Sequence, residues 1–462
     1  MARALDIWRG WTLRRRIAVV GGTALVLLAG AALAAYLVMK RPGDIVNPDA
    51  TFVVEEEPEP PPEPKTVDWP QYGYDDERTR YMRAPRINPP FAGSTWSFQA
   101  GKLLEFSPIV VNDVLYFMDK DALFRAMDAD TGKVKWKRDI GQLNASAPAY
   151  YKGKLFAVNL EPGQAFALRP RDGKVLWKRD LPGRSESSPV LHNGRVIVGV
   201  ESGDIFALDA RTGQIRWQVS TEGEVKGGLA LHEGTLYAGN YAGEVLAIDA
   251  SNGGIIWRNG TQGAGFGRTG RIYSTPAIAF GRVYLGSIDG RVYSFEAETG
   301  ELAWSHSTGD WVYAAPAVAD TPKSPPTVYI GSVDQHFYAL DARDGSVRWE
   351  QRIGAPILGA ASVINETVYV AGIGPNVGTS GFNTRTGKKV FEHELGEYNP
   401  VISDGRRLYL TGTSALRAFE PERKPGRGSR RNGGAGDRQD REQPRAHDAG
   451  RDAGRGDPPP QG

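Results

Sequence analysis

Glu105, Ala145, Glu186, Lys226, Tyr273, Tyr313, Leu358 and Glu397 recur 39 to 47 residues apart, each three positions before a proline or its equivalent. If the fold gathers these positions on one ring, carboxylates, an ammonium and phenols meet there, with Arg271, Trp311 and Tyr398 close by in the chain. Such a mouth suits contact with a sugar, a peptide or another small ligand; a hydrated channel rim would use the same residues. The glutamates lack the short-spaced acidic loop of a calcium site. His192, His232, His306, His336 and His393 never pair at metal-ligand spacing. Gly263, Gly265 and Gly267 lead into no helix signal that would make a phosphate cradle. Chain order alone supports no Ser-His-Asp triad, so neither a catalytic residue nor a metal ligand is assigned.

The elements that must position these groups come from a repeat. Its clearest copy runs from Ala207 through Asp209, Thr212 and Gly213 to Trp217, or AxDxxTGxxxW. The terminal aromatic recurs at Trp96, Trp136, Trp177, Trp217, Trp257, Trp304, Trp349 and Phe391, spaced 40 to 47 residues apart, within the range of solenoids and propellers. Between successive aromatics lie short apolar runs separated by turn pairs such as Asn193-Gly194, Ser202-Gly203 and Thr212-Gly213, the pattern of a four-stranded antiparallel sheet. One such sheet cannot cover both its faces, so similar sheets stack radially. The predicted fold is therefore all-β, an eight-bladed propeller of four-stranded blades. The Asp is expected to bond turn amides, the Gly to supply positive φ, and the Trp to wedge against the turn of an adjoining blade. Ser94 to Gln99, with Trp96, lacks a blade, and Pro400 to Glu420 lacks an outer strand. Joining them closes the ring.

Of 462 residues, 56 are Lys or Arg and 54 are Asp or Glu, a balance that gives no field to attract nucleic acid. Cysteine is absent, which removes disulfides, thiolate metal sites and lipid attachment at an N-terminal cysteine. Arginines at 3, 9 and 14 to 16 precede the uncharged stretch Ile17 to Met39, long enough to cross a bilayer. Residues 1–16 are read as a cytoplasmic basic segment and 17–39 as a single-pass signal-anchor helix, placing the propeller outside the cytoplasm. Ala32, Leu33 and Ala34 leave open a cleaved signal peptide. Residues 40–65, acidic and proline-rich, read as a stiff linker holding the domain off the membrane. The propeller is assigned to 66–423. Residues 424–462, rich in Gly, Arg and Asp without apolar periodicity, are expected to be disordered.

The spaced AxDxxTGxxxW signature, with Ser107-Pro108, Ala147-Pro148, Ser188-Pro189 and Ala315-Pro316 opening blades and Asp68 to Gly73 at the domain's start, resembles the PQQ-type repeat. That is the tryptophan-docked propeller of quinoprotein dehydrogenases, shared with non-catalytic relatives such as the BamB-type factor of outer-membrane protein assembly. The resemblance implies the fold and leaves two functions open. One is a non-catalytic binding or interaction scaffold, for ligand sensing or envelope assembly, with envelope proteins or a small ligand as partners and no cofactor expected. The other is a degenerate PQQ-dependent dehydrogenase with PQQ and calcium. Those enzymes clamp the quinone against a disulfide of adjacent cysteines, which this chain cannot form.

Overall fold

The computed structural model describes residues 12–39, 43–54, 67–263, 270–375, 377–398 and 401–422. The leading arginines at 3 and 9, the acidic run 55–66 and the expected disordered tail 424–462 lie outside them. Helix α1, Leu13–Met39, carries the apolar stretch and begins one turn earlier than expected.

Eight sheets form the eight blades of a propeller. Blade 3 is typical: Val190–His192 is its inner strand, followed outward by Arg195–Gly199, Asp204–Asp209 and Ile215–Ser220. The hairpin signature acts as expected, and each of its parts has a cause. Asp209 Oδ1 accepts from the Arg211 and Thr212 amides and from Thr212 Oγ1, while Gly213 turns the chain at φ 71°. Ala207 lies opposite Trp217 on the neighbouring strand, where a larger side chain would crowd the ring. The ring then docks one blade further on. Trp177 lies over Gly213, so a Cβ there would come within 2.7 Å of the indole, and its Nε1 donates to Ala210 O at 3.2 Å. The glycine is thus required twice, for its φ and for its missing side chain.

The same dock joins Trp136 to Gly173, Trp217 to Gly253, Trp257 to Gly300, Trp304 to Gly345 and Trp349 to Gly387. The ring closes as the sequence implies. β3, Phe91–Gln99, pairs antiparallel with Ala415–Pro421 to complete blade 8, and Trp96 docks on Gly132 of blade 1 while donating to Ala129 O at 2.9 Å. Phe391 breaks the pattern for a physical reason. Blade 8 has no hairpin between its last two strands, because they come from opposite ends of the domain. Phe391 packs edge-on against Phe91 instead, with centroids 5.6 Å apart.

Two segments ahead of the blades depart from expectation. First, the linker reading of 40–65 fails for its first part. β1, Ile45–Val46, adds to the outer edge of blade 5, and the chain continues down that edge until the Val53 amide donates to Phe280 O. Phe52 packs on Phe280 with centroids 5.3 Å apart, and Arg282 Nη2 donates to Ala50 O at 2.8 Å. Apolar contact and backbone pairing turn this stretch into part of the domain.

Second, residues 67–87 cross the channel at the ring's centre. The carbonyls of Pro70, Asp76, Glu77, Thr79 and Arg80 accept from Tyr150, Leu231, Ile278, Val318 and Val363, and β2, Tyr81–Met82, runs parallel to the inner strand of blade 7. Arg78 is fully buried and donates to the carbonyls of Leu229, Pro189 and Tyr72. This plug binds the inner strands together and closes one end of the channel.

Within the plug, burial pushes the Asp75 carboxyl up to about 6 from 3.8, against the pull of its hydrogen bonds from Thr79. Folding therefore favours its protonated form, and that stabilisation is complete below about pH 4 and lost as pH rises through about 6. The melting temperature should fall across this window, and Asp75→Asn should flatten the slope; an unchanged slope in the variant would remove Asp75 as the cause.

Candidate functional site

The open end of the channel is built from the loops that precede each inner strand. Glu105, Glu186, Lys226, Tyr273, Tyr313 and Tyr398 converge there on a small cavity of about 60 Å³ that opens to solvent. The plug supplies its floor through Tyr72, whose ring lies 4.8 Å from the Arg80 guanidinium beneath it. Arg80 itself donates to the Arg78 and Pro316 carbonyls at 2.7 and 3.0 Å.

One side of the cavity is an ion-pair network. Lys226 Nζ lies 3.2 Å from Glu186, 2.8 Å from Glu201 and 3.5 Å from Glu224, and 5.4 Å from the Tyr241 ring. Tyr273 donates to the other oxygen of Glu186 at 2.8 Å. Burial disfavours the ammonium, yet Glu201 and Glu186 hold it well above the usual lysine range. Burial and the facing Glu201 raise the Glu186 carboxyl, while Tyr273 and Lys226 pull it back.

Glu105 is different. Burial, with the charge of Glu186, raises its carboxyl too, but it has no hydrogen-bond or ion-pair partner among the described residues. Aromatic groups line the same cavity: Tyr72 and Phe106 meet edge-on at 5.5 Å, Tyr273 and Tyr313 at 5.8 Å. A half-buried carboxylate in a cavity lined by aromatic rings is a place where a positive charge is favoured.

The repeat-derived positions are only partly gathered. Leu358 joins the cavity wall, whereas Ala145 does not. In blade 8 the wall residue is Tyr398, one position after the expected Glu397, which stays outside. Arg271 sits on the rim, 5.7 Å from the Tyr241 ring. Trp311, 46 % exposed, stands outside the cavity against Tyr313. Sequence reasoning missed Tyr72, which belongs to no repeat. It also missed Glu201 and Tyr241, which each stand two residues before a turn glycine, Gly203 and Gly243; that shared register was the available signal. Among the described residues no group of three or more His, Asp or Glu side chains could hold a metal ion.

The sequence model of the family described as outer membrane protein assembly factor BamB matches residues 91–202 and 201–427. A quinohemoprotein alcohol dehydrogenase of Comamonas testosteroni is 30% identical over 148 residues, 30% of this chain and 19% of that enzyme. A 1-butanol dehydrogenase (cytochrome c) of Thauera butanivorans is 35% identical over 77 residues, 16% of this chain and 11% of that enzyme. The chain thus aligns with less than a fifth of either relative's length. Among solved structures, BamB from Moraxella catarrhalis superposes with a TM-score of 0.59 at 18% identity, covering 71% of this chain and 99% of that one. A quinohemoprotein alcohol dehydrogenase of Pseudomonas putida HK5 gives 0.64 at 14% identity, covering 78% and 82%. At these identities the superpositions speak for the propeller fold alone.

Proposed function

The chain belongs to the family described as outer membrane protein assembly factor BamB, and from that membership we propose a membrane-anchored, extracytoplasmic, non-catalytic binding scaffold whose funnel takes a basic group of its partner. The observation that carries the ligand class is Glu105, which has no hydrogen-bond or ion-pair partner among the described residues and shares its cavity with aromatic rings. A lysine or arginine side chain of an envelope protein, or a small organic amine, supplies the missing charge. Lys226 shows the same chemistry inside the protein, paired with carboxylates and set over Tyr241.

The quinone alternative is less well served by these groups. PQQ carries three carboxylates, and in this cavity they would face Glu105 and Glu186. Lys226, the cation that lines the cavity, is already shared by Glu186, Glu201 and Glu224. The residues present do not fit that cofactor, and no step is derived through it.

Calorimetric titration of the full chain with an oligolysine peptide should give saturable, salt-sensitive binding. Glu105→Gln should weaken it about 10- to 100-fold, the loss of one charge-assisted contact of about 1.5–3 kcal/mol. Saturable binding of PQQ with calcium, together with dye-linked alcohol oxidation, would reverse the assignment.

A further inference from the structure

We infer that the funnel side of blades 5 and 6 faces the lipid bilayer at close range, with Trp311 at the membrane interface. The inference rests on the reading of α1 as an uncleaved anchor and adds to it a direction and a distance.

The direction follows from which end of blade 5 receives the chain. Asp44 meets the last residues of that blade's outer strand, Leu302–Ser307: its carboxylate accepts from the Ser307 amide at 2.8 Å and lies 3.3 Å from His306 Nδ1. Ser307 leads directly into the loop that carries Trp311 and then Tyr313, a wall residue of the funnel. At the other end of the docked segment, Val53 reaches Phe280 and Gly281, the turn on the plugged face. The chain therefore arrives from the membrane on the funnel face and descends the rim towards the opposite face.

The distance follows from chain length. Helix α1 ends at Met39, and Asp44 is already fixed on blade 5. Five Cα steps at about 3.3–3.6 Å each reach no more than about 18 Å. The headgroup layer takes up several ångströms of that span, so this corner of the propeller has little freedom to turn away. Among the described loops it presents an exposed tryptophan, Trp311, the side chain suited to a boundary that is apolar on one side and wet on the other. The acidic, proline-rich run then comes after the docked segment in the chain, so it cannot lengthen the tether.

The absence of cysteine permits a direct test with single labelled cysteines in the full chain. Arg352→Cys marks the funnel end of the blade 6 outer strand, Glu298→Cys the opposite face of blade 5, and Asp139→Cys the funnel end of the blade 1 outer strand across the ring. After reconstitution into lipid nanodiscs, energy transfer to a headgroup-labelled lipid should be at least about twofold stronger from position 352 than from position 298 or 139. Transfer from 298 equal to or above that from 352 would overturn the orientation while leaving the anchor intact. Failure of the full chain to co-fractionate with the discs would overturn both.

Discussion

A chain that begins at residue 101 should lose cooperative unfolding, whereas one that begins at residue 66 should keep it. The shorter form loses β3, and with it the antiparallel partner of Ala415–Pro421 and the Trp96 dock on Gly132. The plug goes too, including Trp69, Met82 and Ile87, all fully buried in the cluster that joins blades 1, 7 and 8. The inner-strand amides of Tyr150, Leu231, Ile278, Val318 and Val363 lose their partners at the same time. An open propeller has two unpaired edges and a channel lined by unsatisfied backbone groups, each costing about 1–3 kcal/mol where water cannot replace the bond. The loss exceeds the net stability of an ordinary domain, about 5–15 kcal/mol. Calorimetric unfolding of the two chains checks this: a single sharp transition at the same temperature for both would refute closure through the N-terminal segment.

Trp304→Ala should be the most costly of the dock substitutions, at about 3–5 kcal/mol. Its ring is 0 % exposed, compared with 9 % for Trp217, and the remaining docked tryptophans are less buried. It lies over Gly345, where a Cβ would approach to 2.6 Å, packs on Tyr284 at 5.9 Å and donates to Ala342 O at 3.0 Å. β1 covers it from outside, because Val46 pairs with Trp304 itself. Removing the indole opens a cavity between blades 5 and 6 and takes away part of the surface on which β1 rests. Urea unfolding should show the midpoint falling more for Trp304→Ala than for Trp349→Ala. Equal midpoints would mean that burial by β1 adds nothing to the dock.

The repeat made the blades legible because every copy answers to the same local physics. A turn needs a positive-φ glycine, a hairpin needs an acceptor for its amides, and the ring of one blade needs a glycine to rest on in the next. Even the closure could be read, since Trp96 stood without a blade and residues 400–420 stood without an outer strand. The ring positions were read less well. In blade 8 the cavity takes Tyr398 and not Glu397, so Pro400 does not hold the phase of the blade-opening prolines elsewhere. Tyr72 could not be found by spacing, because the plug occurs once and has no second copy for comparison.

By itself the sequence determined the blade count, the docks and the way the ring closes, all of which arise from residues near one another in the repeat. Only the tertiary structure decided three things. It placed residues 45–53 on the rim of blade 5 where composition had suggested a free linker. It laid residues 67–87 across the channel, and it brought Glu105, Glu186 and Lys226 from separate blades to one cavity with Tyr72 of the plug. The reason is common to all three. Each arrangement brings together segments tens to hundreds of residues apart, on a surface that exists only once the ring has closed.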